Sequence, residues 1–323
     1  PRAPQNVRGR LLIIDDEEDL TELLSDHARE LGFDVFEHHC FEGAVDRARA
    51  IRPQFVVTDV MLGDGIGYQV ARHLRAAPNL FTVPILFMSA ATEPREIAYA
   101  HSQGGDAYLA KPFSLKQFHE KLDDLSKLRE EIRRLCPETQ LPGLAAIKCH
   151  INHRLFTDTP TALCCIQVNH LDTYHTRHGD AAWRKAMAFI SRLLVNEVRR
   201  FGGPTGYLAH TFGGTFLALV GQEAHQPFTA HLVSTFGQQT QQLHTEAQRR
   251  RATPVANGRA SGRAESPLLT IHLSVAHTGT RHFANADAMF QALAETHSLA
   301  RACPGSAVFV DRKHDRDLPL PGE

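Results

Sequence analysis

Acidic, hydroxyl and basic side chains that could act together on a phosphate group recur in the first third of the sequence. The acidic run Asp15–Glu17 is followed by Asp59, Ser89 and Lys111 as separate residues. Clustered carboxylates repel one another unless a cation lies among them, and Mg²⁺ prefers such oxygen ligands. Lys111 supplies a positive charge for a phosphoryl oxygen, and Ser89 supplies a hydroxyl. Asp59 is then a candidate nucleophile toward phosphorus.

The elements that must position these side chains are short apolar strands separated by helical patterns. The pattern predicts strands at 10–15, 34–39, 54–59, 83–90 and 106–110, and helices at 17–31, 41–51, 68–75 and 95–102. Strands that alternate with helices predict an α/β fold with a doubly wound, five-stranded parallel sheet. Functional groups collect at the carboxyl ends of such strands, where these side chains occur.

This set of residues resembles the receiver domain of two-component response regulators over residues 9–113, a flavodoxin-like fold. The resemblance implies that Asp15, Asp16 and the backbone carbonyl of Met61 hold Mg²⁺. It also implies that Asp59 accepts a phosphoryl group from a sensor histidine kinase or a phosphotransfer protein. We therefore expect a phosphorylation-controlled signalling protein of the phosphorelay class.

The resemblance also assigns residues that respond to phosphorylation. Lys111 would bind the phosphoryl group, and Ser89 and Tyr108 would form the hydroxyl–aromatic switch pair. The sequence departs from the family where a Pro-Gly turn usually follows the phosphorylated aspartate, because Gly63 and Asp64 occur here. We expect little consequence, since glycine also supports a turn.

Residues 114–138 form a helical pattern that continues past the receiver-like segment. Apolar residues recur along it at Leu115, Phe118, Leu122, Leu125, Leu128, Ile132 and Leu135, with a phase slip before Leu128. The stripe predicts a last receiver helix that extends into a connector, which pairs with a second copy to give a homodimer. The alternative is one ordinary helix packed on its own sheet.

Residues 139–313 predict a second, α+β domain in the order β-α-β-β-α-β-α-β, with a ferredoxin-like core. The predicted strands are 161–168, 205–212, 215–221, 268–277 and 306–310, and the predicted helices are 181–198, 227–249 and 285–301. The segment at about 248–266 is rich in Arg, Ala, Gly and Ser and predicts a flexible insert. Residues 1–8 and 314–323 are expected to be tails.

This second half resembles the GGDEF domain of diguanylate cyclases. The residues that carry the resemblance are the opening Leu141–Leu144, the signature-like Phe212–Phe216 and the strand residues Ser274–Ala276. The family joins two GTP molecules with metal ions held by carboxylates. The resemblance places the metal-binding and guanine-binding positions at Gln167, His175, Arg184, Gly213, Gly214 and Thr215. None of these six residues is a carboxylate.

The domain is therefore interpreted as a degenerate GGDEF domain that is not a cyclase. Three outputs remain open: a protein-interaction surface for an unknown downstream protein, a receptor for GTP or cyclic di-GMP, and residual cyclase activity. Gly203 and Gly206 replace the charged residues of the family's product-inhibition motif, which counts against the receptor. The second half of the chain shows no helix-turn-helix pattern, so we expect no DNA binding.

The composition agrees with a cytoplasmic protein that does not insert into a membrane. Lys and Arg total 35 against 36 Asp and Glu, and the six cysteines form no CxxC pair. Histidines are numerous, at 20. His170, His175, His178 and His210 could bind Zn²⁺ or Cu²⁺, or could be ordinary surface histidines.

Overall fold

The computed structural model describes residues 7–244, 268–300 and 305–313, and it contains two compact units. The first unit comprises residues 1–133 and 148–159, and the second comprises residues 134–147 and 160–323. The predicted boundary at residue 139 differs from this division because residues 148–159 pack with the first unit. Residues 1–6, residues 314–323 and the predicted insert at 248–266 lie outside the described residues.

The first unit alternates strands and helices along the chain. Its strands are β1 Gly9–Ile14, β2 Phe33–His38, β3 Phe55–Asp59, β4 Met61–Leu62, β5 Gly65–Ile66, β6 Ile85–Ser89 and β7 Ala107–Ala110. Its helices are α1 Glu18–Glu30, α2 Ala44–Ile51, α3 Gly67–Ala76, α4 Pro94–Ser102 and α5 Leu115–Arg133. Five strands form one parallel sheet in the order β2-β1-β3-β6-β7, and β4 and β5 form a hairpin. The predicted doubly wound sheet is confirmed.

Apolar side chains cover both faces of this sheet. On β1, Leu12 and Ile14 belong to one buried cluster, whereas Leu11 and Ile13 belong to a second cluster. Successive strand residues point to opposite faces, so the two clusters lie on opposite sides of the sheet. An uninterrupted apolar strand is typical of a parallel sheet that is covered on both faces.

Arg75 on α3 is a buried cation that fastens several loops of the first unit. Its Nε donates to the carbonyl oxygen of Gly104 at 2.9 Å, and its Nη1 donates to those of Phe81 at 2.8 Å and Val83 at 2.6 Å. Its Nη2 forms an ion pair with Asp106 at 2.5 Å. Only 3% of the Arg75 side chain is exposed, so these carbonyls have little access to water.

We expect Arg75→Met to lower the free energy of unfolding by about 3 kcal/mol or more, because it leaves buried carbonyl acceptors without their donor and removes the ion-pair partner of Asp106. Urea unfolding monitored by circular dichroism measures the change. Arg49→Met is the matched control, since Arg49 forms only a surface ion pair with Asp46. That control should cost less than about 1 kcal/mol. Equal losses in the two variants would contradict the role of Arg75.

Helix α5 is shorter than the predicted helical connector. It ends at Arg133, and the part of the apolar stripe before residue 126 packs in the first unit. Leu128 and Ile132 are half-buried and continue the stripe. Leu135 lies beyond the helix and forms an isolated β-bridge with Pro142, so helical periodicity does not apply to it. Pairing of two copies through the connector stays a prediction.

The second unit is built on an antiparallel sheet. Its elements are β8 Thr161–Asn169, α7 Leu171–Gly202, β9 Tyr207–Phe212, β10 Thr215–Gly221, α8 His225–Gln239, β11 Thr270–His277, α9 Ala286–Ala300 and β12 Ala307–Val310. The strand order is β12-β11-β8-β10-β9, and only β12 pairs in parallel, with β11. The run from β8 to β11 has the βαββαβ connectivity of ferredoxin-like units. The relation of this unit to cyclases stays a prediction.

Several helices differ from the sequence prediction. Helix α7 begins ten residues earlier than predicted, at Leu171 instead of Ala181, and Gly179 interrupts it with non-helical backbone angles. Helix α6, Leu144–Phe156, was not predicted and contributes residues to both units. The predicted helix at 227–249 ends as an α-helix at Gln239, and residues from 245 onward are not described. Within the described ranges, no helix has the length and apolarity needed to cross a lipid bilayer.

Candidate functional site

Four candidate residues meet at the carboxyl edge of the parallel sheet. Asp15 follows β1, Asp59 ends β3, Ser89 ends β6 and Lys111 follows β7. These strands run in parallel, so their carboxyl ends lie at one edge of the sheet, as the sequence predicted.

Lys111 joins three carboxylates at this edge. Its Nζ donates to Asp59 Oδ2 at 2.5 Å, to Asp15 Oδ2 at 3.1 Å and to Glu17 Oε1 at 3.2 Å. The Asp15 side chain is fully buried, and 8% of the Asp59 side chain is exposed. An ammonium group that contacts two buried carboxylates offsets much of their desolvation, because a buried charge is tolerated when it is paired.

The pKa values of this cluster show how burial and pairing compete. Burial raises the pKa of Asp15, although the backbone N–H of Glu17 and the Lys111 ammonium partly offset the effect. Burial acts to lower the pKa of Lys111, but hydrogen bonds to Asp59 and Asp15 outweigh it and the net pKa is raised. Lys111 therefore stays charged across the physiological range.

The donor set fits a divalent cation. Asp15, Glu17 and Asp59 each offer a carboxylate oxygen, and these oxygens lie within 4.8 Å of one another. Three carboxylates and one ammonium leave the cluster with excess negative charge, which favours a cation. Mg²⁺ takes oxygen ligands and binds through one or two carboxylates, with water and phosphate oxygens completing its shell. The cluster therefore agrees with the Mg²⁺ site expected of receiver domains.

The carboxylates that cluster in the structure are not the same set of Mg²⁺ ligands that the resemblance implies. Asp16 is exposed, and its Oδ2 lies beside the Gly63 turn, 3.2 Å from where a Cβ on that glycine would be. Glu17 takes its place in the carboxylate cluster. The acidic run in the sequence could have identified Glu17, since it is the third acid after β1. The backbone N–H of Met61 donates to Asp59 Oδ1 at 3.0 Å, and the role of the Met61 carbonyl stays a prediction.

The predicted switch pair is linked through one residue of the loop after β6. Ser89 Oγ accepts the backbone N–H of Ala91 at 3.2 Å. Tyr108 Oη donates to the carbonyl oxygen of Ala91 at 2.7 Å. Both side chains therefore bind the backbone of Ala91. A movement of Ser89 that shifts Ala91 would also shift the hydrogen-bond acceptor of Tyr108.

Asp64, in the turn where the receiver pattern departs from its relatives, has a specific structural role. Its Oδ1 accepts the backbone N–H of Phe41 at 2.6 Å, and its Oδ2 accepts that of Glu42 at 2.9 Å. The two hydrogen bonds lower the pKa of Asp64 below its ordinary value of 3.8. The carboxylate thus fastens the β4–β5 hairpin, which follows Asp59, to the loop between β2 and α2. The expectation that this departure from the family pattern has little consequence stays a prediction.

The lowered pKa of Asp64 makes a pH-dependent contribution to stability. A carboxyl group with a lower pKa when folded stabilises the protein above its unfolded pKa, and this is lost as the pH falls through the folded pKa. We expect Asp64→Asn to be less stable than wild type above about pH 4, with the difference vanishing toward pH 2. Urea unfolding from pH 2 to pH 7 measures it. A difference that is constant over this range would contradict the assignment.

In the second unit, two of the positions assigned from the cyclase resemblance form an uncharged contact with each other. Gln167 on β8 faces Thr215 on β10, and the Thr215 hydroxyl donates to Gln167 Oε1 at 2.6 Å. Gly213 and Gly214 form the turn between β9 and β10, and Gly213 adopts a φ of 53°, which favours glycine. His175 contacts Asp180 at 2.6 Å, across the Gly179 interruption of α7.

The predicted histidine cluster does not form a metal site in the described part of the chain. His175 contacts Asp180, His178 packs on the Tyr174 ring at 4.6 Å, and His210 bonds to the carbonyl of Gly213. Among the described residues, the group of three or more His, Cys, Asp or Glu side chains that could hold a metal is the acidic one in the first unit.

Comparison with known proteins identifies the first unit. Residues 11–123 match the response regulator receiver domain family, and this part of the chain is a receiver domain. The DNA-binding response regulator MtrA of Mycobacterium tuberculosis is 32% identical over 128 residues, 40% of this chain and 52% of that protein. The alkaline phosphatase synthesis transcriptional regulatory protein PhoP of Bacillus subtilis is 31% identical over 124 residues, 38% of this chain and 51% of that protein.

A solved structure of similar fold is a two-component response regulator from Clostridium difficile. It is 27% identical, with a TM-score of 0.34, and the match covers 36% of this chain and 95% of that structure. The chain spans about half the length of the curated relatives MtrA and PhoP. The receiver assignment therefore applies to the first unit, and the activity and partners of the whole protein are proposals.

Proposed function

We propose that the chain is a response regulator that accepts a phosphoryl group on Asp59, from a sensor histidine kinase or a phosphotransfer protein. The observation that carries the proposal is the Lys111 ammonium group, which contacts the Asp59 and Asp15 carboxylates at the carboxyl edge of a receiver sheet. A nucleophilic carboxylate, a carboxylate cluster suited to Mg²⁺ and a fixed cation are the parts that phosphoryl transfer needs.

The residues divide the reaction between them. An Asp59 carboxylate oxygen attacks the phosphorus, an O–P bond forms, and the bond from phosphorus to the donor nitrogen breaks as the donor recovers its electron pair. Bound Mg²⁺ would neutralise phosphoryl charge, held by Asp15, Asp59 and a third acid, either Glu17 or Asp16. Lys111 offers its ammonium to a phosphoryl oxygen, because Asp59 no longer bears the charge that Lys111 pairs with.

The switch is proposed to act through Ala91. A new phosphoryl oxygen is a strong acceptor, and Ser89 can donate its hydroxyl to it. Turning toward that oxygen would move Ser89 Oγ away from the Ala91 N–H, and Tyr108 would lose the fixed position of its carbonyl partner. The loop after β6 would then change its conformation. This loop is the bistable element that phosphorylation would bias.

Phosphorylation is testable with a small acyl phosphate in the presence of Mg²⁺. We expect intact-protein mass spectrometry to show one added phosphoryl group on wild type and none on Asp59→Asn. Asp15→Asn should slow the reaction by about tenfold or more, because it removes a carboxylate of the cation site. Asp64→Asn is the matched control, since Asp64 contacts backbone N–H groups outside the cluster, and it should still be phosphorylated. Equal labelling of Asp59→Asn would refute the proposal.

The second unit is proposed to be an output domain of degenerate GGDEF type without cyclase activity. Its βαββαβ connectivity and the glycine turn Gly213–Gly214 support this relation. Gln167 and Thr215 satisfy each other with a hydrogen bond of 2.6 Å. An amide and a hydroxyl carry no charge to hold Mg²⁺ against nucleotide phosphates. We therefore propose that this unit is not an enzyme.

A protein partner is the output that the hairpin supports best. Phe212, at the end of β9, is 75% exposed beside the glycine turn. Exposed aromatic side chains are enriched at protein interfaces. The relatives MtrA and PhoP are named as DNA-binding or transcriptional regulators. The described part of this second unit is a largely antiparallel sheet with helices. We propose interaction with a downstream protein, and we retain homodimerisation through Leu128 and Ile132 of α5 as part of the proposal.

Nucleotide titration separates this output from the receptor and cyclase alternatives. We expect no calorimetric heat when GTP or cyclic di-GMP is titrated with Mg²⁺ into the full chain, with or without beryllofluoride to mimic phosphorylated Asp59. Incubation with GTP should give no cyclic di-GMP by chromatography. Micromolar binding would make the unit a nucleotide receptor, and product formation would make it a cyclase. Either result would overturn the inactive-output assignment and leave the receiver assignment intact.

A further inference from the structure

Cys136, in the turn after α5, lies against a histidine of the second unit. Its Sγ is 3.0 Å from Nδ1 of His210 on β9, and its thiol donates to Glu138 Oε2 at 2.9 Å. His210 is buried, with 6% exposed, whereas Cys136 is half-buried and reachable from solvent. A thiol in contact with an imidazole is the arrangement of a nucleophilic cysteine and its base.

The hydrogen bonds of His210 determine which ring nitrogen can act as a base. Nε2 lies 2.9 Å from the carbonyl oxygen of Gly213, which can only accept, so Nε2 carries the hydrogen. In the neutral ring, Nδ1 then has the free lone pair, and it faces Cys136 and the Thr139 hydroxyl at 3.3 Å. The Phe216 ring stacks on the imidazole with centroids 4.6 Å apart and fixes its plane.

Cys40, in the first unit, provides an internal contrast. Its Sγ is 3.5 Å from Nε2 of His38, but that nitrogen is 2.8 Å from the carbonyl oxygen of Glu42 and donates to it. No lone pair of that nitrogen is therefore left for Cys40. Cys149 and Cys165 are half-buried, and burial raises the pKa of each thiol to about 11.

We propose that Cys136 is a nucleophilic thiol, activated by His210, and that it is a modification site for hydroperoxides and small electrophiles. In the reaction with a hydroperoxide, the S–H bond turns from Glu138 Oε2 toward His210 Nδ1, and the thiol gives its proton to that nitrogen. The sulfur attacks a peroxide oxygen, so an S–O bond forms while the O–O bond breaks. Sulfur is oxidised to a sulfenic acid, the peroxide is reduced, and the leaving oxygen takes the proton from the imidazolium.

Modification of Cys136 would act on the contact between the segment after α5 and the β9–β10 hairpin. The backbone N–H of His210 donates to the carbonyl oxygen of Pro142 at 2.9 Å, and its ring bonds to Gly213 in the hairpin turn. An added oxygen on Sγ must displace either the His210 ring or the Glu138 carboxylate. The exposed Phe212 next to Gly213 would then respond to this chemistry independently of Asp59.

Alkylation of the full-length chain with iodoacetamide from pH 5 to pH 9 tests the proposal, with each cysteine quantified by peptide mass spectrometry. At pH 6.5 we expect Cys136 to react at least about tenfold faster than Cys40. Equal rates for Cys136 and Cys40 would overturn the proposal, and this comparison needs no variant.

Substitutions identify the base. We expect His210→Gln to slow Cys136 alkylation by about tenfold or more. His38→Gln is the matched control and should leave the Cys136 rate unchanged. Glu138→Gln should slow the reaction by less than about threefold, because removing a carboxylate charge does not disfavour the thiolate. A loss in Glu138→Gln with none in His210→Gln would overturn the role of His210.

Hydrogen peroxide followed by dimedone tests the oxidation directly. We expect a dimedone adduct on Cys136 of wild type at peroxide concentrations that leave Cys40 unlabelled, and no adduct at this position in Cys136→Ser. Adducts of equal yield on Cys40 and Cys136 would contradict selective activation. Asp59→Asn should label like wild type, so failure of this proposal and failure of the phosphorylation proposal are distinguishable.

Discussion

The contact of Lys111 with Asp15 and Asp59 is the interaction on which the receiver site depends. Two buried carboxylates at one sheet edge would repel each other strongly without a cation between them. Lys111 follows β7, at the edge of the sheet, and must reach past the end of β6 toward β3 and β1. The parallel arrangement of these strands is what allows one ammonium group to contact both carboxylates.

The backbone around this charged centre leaves little room for change. A Cβ on Gly67 would lie 1.9 Å from the carbonyl oxygen of Asp59, so only glycine lets α3 start this close to the nucleophile. Asp64 fastens the hairpin between them to the loop before α2. Asp59 itself is held by the backbone N–H of Met61 on one oxygen and by Lys111 on the other, which is the preorganisation that phosphoryl transfer requires.

The sequence predicted the features that repeat locally, and it missed those that depend on distant partners. Apolar runs and their terminal side chains were enough to place Asp59 and Lys111, because strand periodicity and parallel connectivity are local patterns. The roles of Asp64 and Arg75 were not predictable, since their partners are mostly backbone groups outside any periodic pattern, at separations of 23 residues for Asp64 and 6 to 29 residues for Arg75. The Gly179 interruption of α7 was also missed, because one glycine within a helical pattern does not specify its backbone angles.

Helix α5 connects the two sites of chemistry along the chain. It begins four residues after Lys111 and ends three residues before Cys136, and its 19 residues correspond to roughly 28 Å of helix. Its first half is packed in the receiver core. The segment that follows is tied to the β9–β10 hairpin through Pro142 and His210. The proposed thiol chemistry would therefore act on this hairpin through contacts within the second unit.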